Sequence, residues 1–129
     1  MKLLSLDHLV LTTRNVEACL AFYTGILSME PVRADGRTAL RFGAQKINIH
    51  TRPGEFQPAA GNPTPGSQDF CLVAEGEIAQ IRAEIEAKGW PIELGPVERT
   101  GALGPIDSLY LRDPDGNLVE IAVYRKREP

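Results

Sequence analysis

The hydrophobic and polar positions of this chain follow two periods, and these periods change in the same order twice. In the first half, strand-like residues from Leu3 to Thr12 are followed by apolar residues at spacings of four, three and four, which predict a helix ending near Leu27. Three more strand-like segments follow, at residues 30–34, 38–42 and 46–51. The first half therefore predicts the order βαβββ.

The second half repeats this order after an irregular segment. Strands are predicted at residues 68–74, 91–97, 106–112 and 117–124, and a helix is predicted at 77–88. The intervening residues 52–67 carry four prolines and three glycines, which disfavour both helix and strand. A loose alignment of the halves sets His8 against Asp69 and His50 against Glu120.

Capping and turn residues support these boundaries. Asn15 is a candidate N-cap for the first helix, because its side-chain oxygen can accept a hydrogen bond from an amide of the first turn. Asp35-Gly36 is a hairpin signal between the second and third strands. Asp113-Pro114-Asp115-Gly116 predicts the turn between the last two strands, since proline presets φ and glycine tolerates positive φ.

A repeat this small cannot cover both faces of its own sheet. The predicted fold is therefore α+β, with two βαβββ modules that form a curved mixed sheet, or cup, and helices on its outer face. We expect one domain over residues 1–129, and its four parts are module one at 1–51, the linker at 52–67, module two at 68–124 and a short C-terminal tail at 125–129.

Composition narrows the classes of function. With 43% hydrophobic residues and a net charge of -3, the chain can build an ordinary core and shows no basic stripe for nucleic acid. No apolar run approaches the ~20 residues of a membrane span. The two cysteines form no CxxC pair and no secretory leader is evident, so we expect reduced thiols and a cytoplasmic protein.

Four predicted strands carry a ligand-capable side chain on the row opposite their apolar residues. These side chains are His8, His50, Asp69 and Glu120, and Asn48 lies on the same row as His50. Two imidazoles and a carboxylate form a normal ligand set for a divalent metal such as Zn, Ni, Mn, Fe or Co. A single strand histidine is more often a hydrogen-bonded residue than a ligand, so the prediction depends on the whole set.

Two further residues are candidates for contact with a small-molecule substrate, together with Asn48. Arg99 lies in a glycine-rich segment, where it either clamps an anionic group or is a surface arginine. Cys71 lies on the inner row of the fifth strand, where it either contacts substrate or packs as a small apolar residue.

The residues that carry these predictions resemble the vicinal oxygen chelate superfamily of glyoxalases, bleomycin-resistance proteins and extradiol dioxygenases. The resemblance rests on Leu6–Leu11, on Phe22-Tyr23 and on Asp113–Glu120, and it covers essentially the whole chain. Residues 39–43, 46–50 and 95–101 resemble a small glyoxalase-like branch. The resemblance implies paired βαβββ modules, often in a homodimer, with metal ligands from the first and last strands of each module.

Carried onto this chain, the implied ligands are His8, Asn48 or His50, Asp69 and Glu120. Lactoylglutathione lyases have glutamate or glutamine in the fourth strand and histidine in the fifth, and this chain departs from that pattern at both places. We favour His50 over Asn48, because imidazole binds transition metals better than a neutral amide. Asp69 is either a fourth ligand or an acceptor that orients a histidine.

The resemblance implies a metal-dependent, glyoxalase-like enzyme with lyase or isomerase chemistry on a substrate that chelates the metal through vicinal oxygens. Glu120 is the predicted catalytic residue, as a ligand and as a base. Dioxygenation, a metal-free binding protein of the bleomycin-resistance type and a regulatory domain without chemistry stay open as alternatives. An aromatic content of only 6% modestly favours an enzyme over a binding protein.

Overall fold

The computed structural model describes residues 1–126, which contain eight strands, two α-helices and one π-helical segment. The first repeat consists of β1 (His8–Thr12), α1 (Val16–Leu20), the π-helical segment (Ala21–Ile26), β2 (Glu30–Ala34), β3 (Arg37–Phe42) and β4 (Gln45–His50). The second repeat consists of β5 (Asp69–Val73), α2 (Ile78–Ala87), β6 (Leu94–Gly101), β7 (Gly104–Arg112) and β8 (Leu118–Tyr124). The predicted α+β class with two βαβββ modules is confirmed.

Each repeat forms its own four-stranded mixed sheet. Sheet 1 has the order β1-β4-β3-β2, and sheet 2 has the order β5-β8-β7-β6. In both sheets the first and last strands of the repeat pair in parallel, while the other neighbours are antiparallel. A parallel pair requires a long crossover connection, and in each repeat the helical segment lies within that connection.

The first strand and first helix differ from the sequence predictions in informative ways. β1 begins at His8 rather than Leu3, because its neighbour β4 pairs with it only from Lys46 onward. The predicted helical stretch is continuous, but its second part is π-helical. The N-cap prediction is confirmed, since Asn15 Oδ1 accepts a hydrogen bond from the Ala18 amide at 3.0 Å.

The chain divides into two compact units. Unit 1 comprises Met1–Gln68 with Pro114–Gly116, and unit 2 comprises Asp69–Asp113 with the chain from Asn117 onward. The core of unit 1 includes Leu11, Cys19, Leu20, Phe22, Tyr23, Met29, Leu40, Ile47 and Ile49. The core of unit 2 includes Ile85, Ile106, Leu109, Leu111, Val119, Ile121 and Ala122. One domain over residues 1–129 stays a prediction.

The Asp-Pro-Asp-Gly turn uses both of its carboxylates for structure. Within unit 2, the Asp113 carboxylate accepts hydrogen bonds from the Asn117 amide at 2.9 Å and from Asn117 Nδ2 at 2.7 Å. Within unit 1, the Asp115 carboxylate accepts from the Thr13 hydroxyl and from the Arg14 amide. Neither aspartate of the motif is therefore available as a free ligand.

The C-terminal tail is described only in part. Arg125 forms an ion pair with Asp107 at 2.9 Å, and residues 127–129 of the predicted tail lie outside the described residues. In residues 1–126, no helix has the length and apolar character needed to cross a membrane.

Candidate functional site

The strand registers give the correspondence between the two repeats. His8 pairs with Lys46 in sheet 1, and two residues further along β4 lies Asn48. Asp69 pairs with Leu118 in sheet 2, and two residues further along β8 lies Glu120. In the first repeat, the position equivalent to Glu120 is therefore that of Asn48. The alignment of the halves from sequence, which set His50 against Glu120, is wrong by two residues. A two-residue shift keeps every side chain on its face, so alternation cannot detect it.

His8 is exposed at the start of β1 and is oriented by its neighbour. Its Nδ1 lies 2.8 Å from Asp7 Oδ2, and this arrangement leaves Nε2 free to bind a ligand. The hydrogen bond and the charge of His8 both lower the pKa of Asp7. A carboxylate that holds one imidazole nitrogen is the usual support of a histidine metal ligand.

His50 lies at the other end of the same pair of strands. It pairs with Thr12, four positions beyond His8 along β1, which corresponds to about 13 Å at the rise of a strand. Its side chain is buried, and its ring packs edge-on against Phe56 with 5.2 Å between the ring centroids. The structure thus places both histidines in sheet 1 but does not place them side by side.

The linker folds over the face of sheet 1 that carries these polar residues and leaves two cavities there. One, of about 200 Å³, lies over β2, β3 and β4 and is lined by Arg37, Asn48, His50 and Phe56 among others. The other, of about 280 Å³, lies over β1 and is lined by Val10, Pro58 and Pro63 among others, with His50 again in its wall. His50 therefore borders both cavities.

In sheet 2, Glu120 is half-buried and is held by a neighbouring strand. Its Oε2 accepts a hydrogen bond from Ser108 Oγ at 2.7 Å, which leaves Oε1 free of this contact. Cys71 is its register partner on β5. Burial, followed by the negative charge of Glu120, raises the pKa of the Cys71 thiol to about 12. Cys71 is therefore a neutral thiol, suited to contact with substrate rather than to attack. Asp69 is exposed at the start of the same strand.

Arg99 lies on β6 and contacts Tyr110 on β7. Its Nε donates to Tyr110 Oη at 3.1 Å, and its guanidinium lies 5.6 Å from the centre of the ring. Tyr110 is the register partner of Glu120. Arg99 is exposed and also donates to the Glu98 carbonyl oxygen, so both predicted readings, an anion clamp and a surface arginine, stay open.

The sequence predictions missed four residues that contact the predicted site residues or line the cavity over β2–β4. Ser108 and Tyr110 lie on the same face of β7, but tyrosine is common in strands and a single serine gives no separate signal. Arg37 and Phe56 meet only because the linker folds over β3, and the composition of the linker predicts no such contact.

The donor types present suit a divalent metal. His8 offers an imidazole nitrogen, and Asp69 and Glu120 offer carboxylate oxygens, which Zn, Mn, Fe, Ni and Co all accept. Among residues 1–126, however, no three histidine, cysteine, aspartate or glutamate side chains gather into a metal-binding group. The metal ligands His8, His50, Asp69 and Glu120 therefore stay predictions.

Comparison with known proteins gives the family. Residues 5–121 match the profile of the Glyoxalase/Bleomycin resistance protein/Dioxygenase superfamily. The chain belongs to this superfamily. The predicted resemblance is thus confirmed, because the match covers most of the chain.

Two relatives in this superfamily are similar over most of the chain. Virulence protein STM3117 of Salmonella typhimurium is 49% identical over 120 residues, which cover 92% of this chain and 83% of that protein. Its crystal structure superposes with a TM-score of 0.94 at 48% identity, over 97% of this chain and 100% of that one. Glyoxalase domain-containing protein RDO1 of Mycosarcoma maydis is 48% identical over 122 residues, which cover 94% of this chain and 69% of that protein.

A structure with an activity in its name is more distant. Lactoylglutathione lyase from Agrobacterium tumefaciens superposes with a TM-score of 0.69 at 26% identity, over 92% of each chain. These similarities place the chain in a superfamily of glyoxalase-like proteins. They leave its reaction to be argued from its own residues.

Proposed function

We propose that the protein is a metal-dependent, glyoxalase-like enzyme that performs lyase or isomerase chemistry on a small molecule. The observation that carries this proposal is that a side-chain hydrogen bond orients each of two predicted ligands. Asp7 holds Nδ1 of His8, and Ser108 holds Oε2 of Glu120. Such support is what a metal ligand needs in order to keep its orientation.

The resemblance implies that His8, Asp69 and Glu120 are metal ligands. When bound, a divalent metal acts as a Lewis acid that polarises a substrate oxygen. Glu120 has a second role as a base, because a carboxylate that Ser108 holds in place can accept a proton from the substrate. We assign substrate contact to Cys71, whose thiol is neutral, and to Arg99, whose Nε donates to Tyr110 Oη.

The strand register bears on the choice between Asn48 and His50 as the fourth-strand ligand. Asn48 occupies the position that corresponds to Glu120, whereas His50 lies about 13 Å from His8 along the strands. We therefore assign Asn48 and His50 to the substrate side of the site. Metal binding by His50→Ala and Asn48→Ala tests the metal role predicted for His50.

Metal content tests the proposal. The full chain, purified without added metal, is compared with His8→Ala, Glu120→Ala and His50→Ala by elemental analysis and by thermal melting with Zn, Ni, Mn, Fe or Co added. We expect the first two variants to lose bound metal and the metal-induced rise in Tm, and His50→Ala to keep both. Glu75→Ala, an exposed loop carboxylate, is the matched control for Glu120.

Two results would change the assignment. If wild type binds none of the five metals and shows no change in Tm, the enzyme proposal fails and a metal-free binding protein replaces it. If His50→Ala loses the metal while Asn48→Ala keeps it, His50 is the fourth-strand ligand. A cytoplasmic location and a homodimer stay predictions of the sequence and the resemblance.

A further inference from the structure

The cavity over β2–β4 in unit 1 has a one-sided charge. Three basic side chains, Arg37, Lys46 and His50, contribute to its wall, and within the described residues no aspartate or glutamate does so. Two carboxylates outside the lining interact with these basic groups, Glu55 with His50 and Asp7 with Lys46. Both are engaged elsewhere, Glu55 by Thr51 and Arg52 and Asp7 by His8. A cavity wall that carries three basic groups and no acid favours an anion.

Three hydrogen-bonding side chains of this wall lack protein partners for their polar groups. Within residues 1–126, the guanidinium of Arg37, the amide of Asn48 and the ring nitrogens of His50 make no hydrogen bond or ion pair with another side chain. Asn48 pairs with Ala39 on β3, two residues from Arg37, so the three groups come from adjacent strands on one face. Their donors are available to a bound molecule.

Phe56 adds an aromatic surface to the basic wall of the cavity. The Arg37 guanidinium lies 4.2 Å from the centre of the Phe56 ring, and the His50 ring packs on the same phenyl group. Stacking on an aromatic ring orders an arginine and leaves its N–H groups free for a planar acceptor. Val32 and Ala39 add apolar surface beside it.

The size of the cavity limits its occupant. A cavity of about 150 Å³ holds benzene, and this one measures about 200 Å³. It therefore has room for one small ring and one charged group. A planar carboxylate suits a stacked guanidinium best, because the two form paired hydrogen bonds.

We propose that this cavity binds a small, flat organic carboxylate, with its charged end at Arg37, Asn48 and His50 and its apolar body against Phe56, Val32 and Ala39. The inference names the substrate class of the proposed enzyme and to that extent rests on the proposed function. All the residues that line this cavity belong to unit 1.

Benzoate and its neutral isostere benzamide test the proposal on the full chain. Binding is followed by calorimetry or by NMR titration, with metal removed and with metal added. We expect benzoate to bind at least about tenfold more tightly than benzamide, since only benzoate offers two charged oxygens for paired hydrogen bonds with the guanidinium. Phenylphosphonate and inorganic phosphate are measured in parallel, and phosphate binding as tight as that of benzoate would show a simple anion site and refute the organic carboxylate.

Variants identify the residues. Arg37→Gln should weaken benzoate binding about tenfold, and Arg37→Lys should be intermediate because it keeps the charge without the planar fork. Arg41→Gln, an exposed arginine on the same strand, is the matched control and should leave the affinity within about twofold. If the Arg37→Gln variant does not fold, the benzoate affinity of His50→Gln tests the charged end of the cavity instead.

Three outcomes overturn the proposal. They are equal affinities for benzoate and benzamide, equal effects of the Arg37 and Arg41 variants, and no binding of benzoate at about 10 mM. The result is separable from the metal test. His8→Ala should keep benzoate binding in metal-free protein, so this cavity can stand if the metal proposal fails, and the metal proposal can stand if the cavity fails.

Discussion

Removing the Asp115 carboxylate should destabilise the protein although Asp115 has no predicted part in the chemistry. The side chain is only 5% exposed, and it accepts hydrogen bonds from the Thr13 hydroxyl and, at 3.0 Å, from the Arg14 amide. Hydrogen bonds to a charged group contribute about 1.5–3 kcal/mol each. The ion pair with the Arg14 side chain is 3.7 Å long and largely solvent-exposed, so it adds little.

Asp115→Ala should therefore lower the free energy of unfolding by about 3 kcal/mol, because the two donors are left without their acceptor. For a chain of this length that corresponds to a fall in Tm of about 10 °C. Asp115→Asn should lose about half as much, since its amide keeps one acceptor oxygen. Urea denaturation monitored by circular dichroism gives the free energies.

A double-mutant cycle with Thr13→Val isolates the hydroxyl–carboxylate pair, and we expect a coupling energy of about 1–2 kcal/mol. Glu75→Ala, an exposed loop carboxylate, should change stability by less than about 0.5 kcal/mol. A loss below about 1 kcal/mol for Asp115→Ala, or no coupling to Thr13, would refute the structural role assigned to this carboxylate.

Further predictions concern the strands around Glu120. Gly95→Ala should destabilise the protein by at least about 2 kcal/mol in urea denaturation, because Gly95 has φ +118° and an added Cβ would approach the Ser108 carbonyl oxygen to 2.4 Å. The control Gly61→Ala should be nearly neutral, since the space around Gly61 is open. Equal destabilisation by the two substitutions would contradict this prediction. Ser108→Ala should weaken metal binding about tenfold in a metal titration, because it frees the Glu120 carboxylate, while Ser67→Ala should leave the affinity unchanged. Unaltered affinity in the Ser108 variant would remove the support that this hydroxyl gives to the metal proposal.

Local sequence signals predicted the element order because they act within a few residues. Apolar spacing identified both helices, the Asn15 carboxamide capped the first of them as expected, and the two hairpin turns lie where their Asp-Gly pairs predicted. Alternation also separated the buried row from the polar row of each central strand, as at Ile47 and Ile49 against Asn48.

The candidate site was predicted less completely, because its geometry depends on contacts between distant residues. Alternation placed His50 and Asn48 on one face, but only the pairing of β1 with β4 shows which of them corresponds to Glu120. Ser108 became visible as a partner of Glu120 only through the register of β7 and β8.

The sequence by itself thus determined the βαβββ repeat, the superfamily and the list of ligand-capable residues, because periodicity and turn chemistry are properties of neighbouring residues. The tertiary structure decided the register and the course of the linker. Register is fixed by hydrogen bonds between strands far apart in the chain, and a shift of two residues leaves the local pattern unchanged. The linker has no periodicity, so only its fold over sheet 1 brings Phe56 against Arg37 and His50.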